Sequence, residues 1–179
     1  LFGYLGSTDE LERPVGLGVA NALANRHGAG QSEGDILDTL SIGFMDRVGM
    51  VGYFGPLVAP LEKRVRELVI FERNMARSER VLPAEEAFTE LPRCDVAVIT
   101  ATALISGSLD RLLEATGGCR EVAVVGASTP LVPDVFRPLG VTLLSGIVVA
   151  EAAGILQVVS EAGGMGLFGR RVRKVNVRL

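Results

Sequence analysis

From Asp46 onward, short apolar runs alternate with segments whose apolar residues recur at helical spacing. Val48–Phe54 is a continuous apolar run, the pattern of a strand buried on both faces. Leu57–Glu67 follows as a helix whose polar face carries Glu62, Lys63, Arg64 and Arg66. Leu68–Phe71, Asp95–Thr100, Glu121–Val125 and a stretch within Val141–Val149 read as the next strands. Ala84–Glu90, Ser106–Ala115, Leu131–Leu139 and Ala150–Ala162 read as the crossovers between and after them, and Val172–Val177 as a last strand. Strictly alternating strands and helices predict βαβ units and a buried parallel sheet. The expected fold is therefore α/β, a Rossmann-like, doubly wound, mostly parallel sheet over residues 44–179.

The first 43 residues stand outside that alternation. Pro14 suits the first turn of a helix, and Leu17, Ala20, Leu23 and Ala24 share one face of it. The glycines around His27 stop that helix. GAGQSEGD (28–35) reads as a loop, and Asp35–Phe44 as a short helix with Ile36, Leu37 and Leu40 turned inward. Residues 1–43 are expected to be the remnant of a separate small domain, and a chain opening on Leu1 is expected to be a piece of a longer protein.

Composition narrows the functional classes. The 179 residues are 48% apolar with a net charge of −3, which suits soluble domains with a real core and not a dedicated nucleic-acid binder. The basic cluster Arg170, Arg171, Arg173 and Lys174 reads as the solvated flank of the last strand. No apolar run is long enough for a membrane span. Cys94 and Cys119 have neither metal-type nor redox-type spacing, so a reducing cytoplasm is the expected location. His27 is the single histidine. It leaves no Ser–His–Asp arrangement within the sheet and no His-based metal motif.

In an open parallel sheet, ligands collect where the strands end. The first strand runs into Gly52, Tyr53, Phe54 and Gly55, the second into Glu72, Arg73 and Asn74, the third into Thr100 and Thr102. The fourth runs into Gly126, Ser128 and Thr129. Glu72 occupies the place of a ribose-binding carboxylate. Against a dinucleotide loop, Gly49, Gly52 and Gly55 are not spaced as GxGxxG, and Pro56 removes a backbone N–H. The Ser128–Thr129–Pro130 turn could cradle an anion or simply start a helix.

Several segments, in order, carry a resemblance: RPVGLGVANAL (13–23), RVGMVGYFGPLV (47–58), VIFERN (69–74), VITATALISGSLDRLL (98–113), VVGASTPLVPDVF (124–136) and GVTLLSGIVV (140–149). Together they resemble an uncharacterised family labelled for heavy-metal chelation. The resemblance implies an enolase N-terminal-like α+β domain ahead of a Rossmann-like one, with the site in the cleft between them. Here the first domain would be truncated. The resemblance carries over Glu72, Asn74, Thr100, Thr102, Ser128 and Thr129 as cleft-lining candidates, and assigns no catalytic residue. The family pattern favours Asn at or near Ser106.

Soft and borderline metals prefer thiolate and imidazole, and two separated cysteines and one histidine supply few of either. The first functional reading is thus a protein that binds a small ligand, including a metal ion or metal complex, in the cleft. The alternative is an enzyme using a nucleotide or S-adenosyl-type cofactor at the same strand ends. A truncated first domain leaves apolar surface to cover, so a homo-oligomer is expected; no nucleic-acid partner is.

Overall fold

The computed structural model describes residues 2–26, 28, 30–77 and 80–179. Its centre is a sheet in the order β4-β3-β2-β5-β6-β7-β8-β1. The strands are β1 (Gln31–Glu33), β2 (Arg47–Val51), β3 (Glu67–Glu72), β4 (Val81–Pro83), β5 (Val96–Thr100), β6 (Glu121–Val125), β7 (Leu143–Val149) and β8 (Val172–Arg178). β4 through β7 run parallel, while β8 pairs antiparallel with both β7 and β1. The winding starts at β2, steps outward to β3 and β4, then returns across β2 to β5, β6 and β7. This is the Rossmann order, with its topological switch between β2 and β5.

Both faces of the sheet are covered, as the apolar runs require. On one face Val48, Met50, Ile70, Val96, Val98, Ala123 and Val125 pack under α3 (Gly55–Glu62) through Leu57 and Leu61. On the other, Val51, Phe71, Ala97, Ile99, Val122 and Val124 pack under α4 (Ala87–Glu90), α5 (Ala103–Ser106) and α6 (Leu109–Ala115). α7 (Pro133–Phe136) adds Phe136 to this second face. Gly49 is what lets the turn after α4 sit close, because a Cβ there would come within 2.7 Å of Leu91 Cδ2 and 3.0 Å of Cys94 Sγ.

The edges explain most departures from the expected elements. β1 lies inside the stretch expected to be a loop. Its Gln-Ser-Glu side chains have no apolar period, and the strand exists because β8 offers it a backbone ladder. β4 was likewise not foreseen; it is short and ends on Pro83, which suits an edge. Of the basic cluster, Arg170 and Arg171 flank β8, while Arg173 and Lys174 lie within it on exposed positions, Arg173 paired to Glu33 at 3.1 Å and Lys174 to Asp35 at 3.6 Å.

The helix expected over Asp35–Phe44 is only a 3-10 turn, Ile36–Asp38, opened by the Asp35 carboxylate accepting from Leu37 N–H. Ile36 and Leu40 still reach the core, so the burial pattern held without the helix. The helix expected over Ser106–Ala115 is broken at Gly107, whose φ of +70° ends α5 before α6 begins. α1 (Phe2–Leu5) precedes α2 (Glu12–Ala24), and α8 (Ala152–Ser160) follows β7.

α2 turns inward most of the face expected of it, with Leu17 buried and Ala20 and Ala24 half-buried. Leu23 is instead 57% exposed, as are Leu11, Val15 and Val19 to comparable degrees. Beside Leu17 the inward face also carries asparagines, which reach the ends of the sheet. Asn21 Nδ2 donates to Ser128 O at 2.9 Å, and Asn25 Nδ2 donates to Thr129 O at 2.8 Å. Asn25 Oδ1 accepts from Leu131 N–H at 2.7 Å, and Arg13 donates to Ile105 O at 3.0 Å. Among the described residues, no helix is long and apolar enough to cross a membrane.

Candidate functional site

A cavity of about 770 Å³ opens at the switch point, at the C-terminal ends of β2 and β5. β2 contributes Val51, Gly52, Tyr53 and Phe54. β3 contributes Phe71, Glu72 and Arg73, and β5 contributes Thr100 and Thr102. The crossovers add Glu85 and Phe88 after β4, and Ile105, Ser106, Ser108 and Arg111 after β5. Glu10 closes the rim from the N-terminal segment. This is the crevice in which doubly wound sheets hold ligands.

Gly52 sets the mouth. Its φ is +89°, and a Cβ there would lie 2.9 Å from Thr100 Cβ and Cγ2. Only glycine turns the chain away from β2 this close to β5. The turn is then fixed by Glu72. Glu72 Oε2 accepts from Tyr53 N–H at 2.8 Å, while Oε1 accepts from Arg73 N–H at 2.8 Å and Asn74 N–H at 3.1 Å. One carboxylate thus ties the β2 loop to the β3 loop.

The β5 side is a row of hydroxyls. Thr100 and Thr102 Oγ1 lie 2.9 Å apart, as do Ser106 and Ser108 Oγ. In the threonine pair one hydroxyl donates to the other, which leaves the second O–H for a ligand. In the serine pair the Ser106 O–H donates to Ala103 O at 3.2 Å, so this pair offers mainly lone pairs. The Arg111 guanidinium lies 4.3 Å from the centroid of the Phe88 ring.

Of the strand-end candidates, Gly52, Tyr53, Phe54, Glu72, Thr100 and Thr102 line this cavity. Gly55 begins α3 on the exposed surface outside the lining. Asn74 is exposed, its side chain accepting from Ala76 N–H at 3.1 Å. Ser128 and Thr129 lie beneath α2, with both carbonyls bonded to its asparagines and Thr129 fully buried. His27 lies outside the described residues. Sequence reasoning missed Phe88, Arg111 and Glu10 as wall residues. They come from crossovers and an N-terminal turn, whose phase strand-end reading does not address. Asn21 and Asn25, one helical turn apart, were the available signal that α2 docks on polar backbone.

A model of the DUF364 family, described as "Putative heavy-metal chelation", matches residues 35–178. The chain belongs to this family. An uncharacterized protein of Methanocaldococcus jannaschii is 23% identical over 177 residues, covering 97% of this chain and 68% of its own length. A crystal structure of a DUF364 protein of unknown function from Pyrococcus horikoshii shares the fold, with a TM-score of 0.89 and 20% identity. It covers 98% of this chain and 72% of that one. Another, from Desulfitobacterium hafniense, has a TM-score of 0.82 and 28% identity, covering 99% and 72%.

The family's description raises the question of which side chains could hold a metal. In this DUF364 chain the two thiols precede β5 and β6, at the opposite end of the sheet from the cavity. Cys94 Sγ donates to Glu90 O at 3.4 Å and Cys119 Sγ to Leu91 O at 3.6 Å. Burial pushes both thiols up, Cys119 to about 12, so both stay protonated where metal ligation needs thiolate. Among the described residues, no three His, Cys, Asp or Glu side chains gather into a group that could hold an ion. The donor set does not fit direct chelation of a soft metal by these residues.

Proposed function

We propose that this chain binds a small organic ligand in the switch-point cavity, and that a heavy metal reaches it as part of such a ligand. The observation that carries the reading is the cavity itself. It combines hydroxyls, guanidinium groups and aromatic faces at the ligand crevice of a Rossmann-ordered sheet, while the thiols sit protonated at the other end. In this reading the cleft is interdomain. The helical segment ahead of β1 belongs to a small enolase N-terminal-like domain, and Glu10 is its contribution to the wall.

The test is a thermal-shift panel on the purified chain with free nickel(II) and zinc(II), the same metals as organic chelates, nucleotides and S-adenosylmethionine. A ligand at a hundredfold excess over its Kd stabilises the folded state by ~2.7 kcal/mol, or roughly 5–10 °C for a chain of this size. Shifts with chelates and none with the free ions are expected. A stoichiometric free metal bound through side chains would overturn the reading.

A second reading, an enzyme using a nucleotide or S-adenosyl-type cofactor, is favoured by one observation. Glu72 ends the strand that carries the ribose acid in the Rossmann order. Its carboxylate already accepts three backbone N–H groups, which weighs against that role. A shift with nucleotides, abolished by Glu72→Ala, would favour it.

A further inference from the structure

We propose that Arg111, held by Phe88, forms with Arg73 an oxyanion subsite of this cavity. The ligand is then a planar molecule bearing a carboxylate or phosphate. This rests on the binding reading above and names the ligand's chemistry.

Most arginines near the sheet are consumed by structure. Arg47 bonds Glu67 at 3.0 Å and Glu90 at 2.7 Å, Arg120 bonds Asp46 at 2.6 Å, and Arg178 bonds Glu121 at 2.7 Å. Arg73 and Arg111 differ. Both line the cavity, and among the described residues no carboxylate pairs with either guanidinium. Glu72 lines the same cavity but bonds to the backbone amides of Tyr53, Arg73 and Asn74. The other wall carboxylates, Glu10 and Glu85, are on exposed residues.

Arg111 is also ordered without being neutralised. The core residues Leu109, Leu112 and Leu113 fix the roll of α6, and the half-buried Phe88 ring receives the guanidinium on its face at 4.3 Å. Stacking holds the fork in place and leaves its in-plane N–H groups for a partner. A planar fork matches the two oxygens of a carboxylate or phosphate. The Thr100–Thr102 pair supplies a neutral O–H donor, and Tyr53 and Phe54 supply flat apolar surface for the body of the ligand. Arg111 is the binding residue here and Phe88 a positioning residue.

The experiment is isothermal titration of the whole chain with four probes. They are pyridine-2,6-dicarboxylate, its nickel(II) complex, phenyl phosphate, and the neutral pyridine-2,6-dicarboxamide. The dicarboxylate should bind about tenfold or more tightly than the diamide, as expected for a charge-assisted bidentate contact. Arg111→Met and Arg73→Met should each weaken the anions and leave the diamide unchanged. Arg111→Lys should recover part of the loss, and Phe88→Leu should weaken the anions with Arg111 still present. Both arginines are exposed, and an unchanged melting temperature shows that each variant folds. Tighter phenyl phosphate assigns a phosphate ligand, and tighter dicarboxylate a carboxylate. Equal affinity for dianion and diamide, or no effect of either arginine variant, overturns the subsite while leaving the cavity reading intact. No binding by any probe in a chain that also fails the chelate panel overturns both.

Discussion

Replacing Glu72 with alanine tests whether its carboxylate builds the cavity rim or waits for a ligand. The substitution deletes the acceptor of three backbone N–H groups. Hydrogen bonds to a charged group contribute about 1.5–3 kcal/mol when the donor cannot recover water. Tyr53 is half-buried, so its amide should lose a value near the low end of that range. Arg73 and Asn74 are exposed, and their amides regain water at a loss of roughly 0.5 kcal/mol each. The sum is about 2–3 kcal/mol, which lowers the melting temperature by roughly 4–12 °C in a chain of this size. Glu72→Gln keeps one acceptor oxygen and should lose about half as much. Thermal unfolding followed by circular dichroism gives the stabilities, and hydrogen exchange should show the Tyr53 amide losing protection. A melting temperature within about 1 °C of the parent, with ligand binding abolished, would refute this reasoning and make the carboxylate a ligand group.

Three further outcomes follow from packing and protonation. Gly49→Ala forces a methyl against Leu91 and Cys94 and should destabilise by ~1–3 kcal/mol in denaturant unfolding, with a relieving Leu91→Ala partner recovering part of it. Burial alone would raise the Asp46 carboxyl, but bonds from Arg120 and the Gly43 N–H hold it below its ordinary value of 3.8. Its stabilisation is therefore complete above that value and lost as pH falls through the depressed one. The stability gap between parent and Asp46→Asn should close in acid and stay constant from pH 5 to 7. Both thiols should resist alkylation at pH 8 in the folded chain and react fully in denaturant, as read by mass spectrometry.

What the sequence made legible divides along physical lines. β2, β5 and β6 are apolar on both faces, so their runs mark them without any partner being known. β1 is invisible to the same reading, because an edge strand of Gln, Ser and Glu takes its existence from the backbone of β8. The turn at Ile36–Asp38 shows the converse error. Residues at helical spacing were buried through an irregular path, since spacing reports which side chains go inward and not how the chain gets there. The strand-end wall of the cavity could be read because topology places it. Phe88 and Arg111 depend on how two short crossover helices roll against the sheet, and Ser128 and Thr129 on a helix more than a hundred residues earlier.

The pairing of β1 with β8 has a practical corollary for anyone trimming this protein. The family match begins at residue 35, just after β1 ends at Glu33. A recombinant piece cut at that homology boundary would carry β8 as a bare outer strand, with Arg173 and Lys174 as its gatekeeping charges, Arg173 without its Glu33 partner. Exposed ladders of this kind recruit other chains. The unit recognised by inheritance is thus smaller than the unit that stays monodisperse in a test tube.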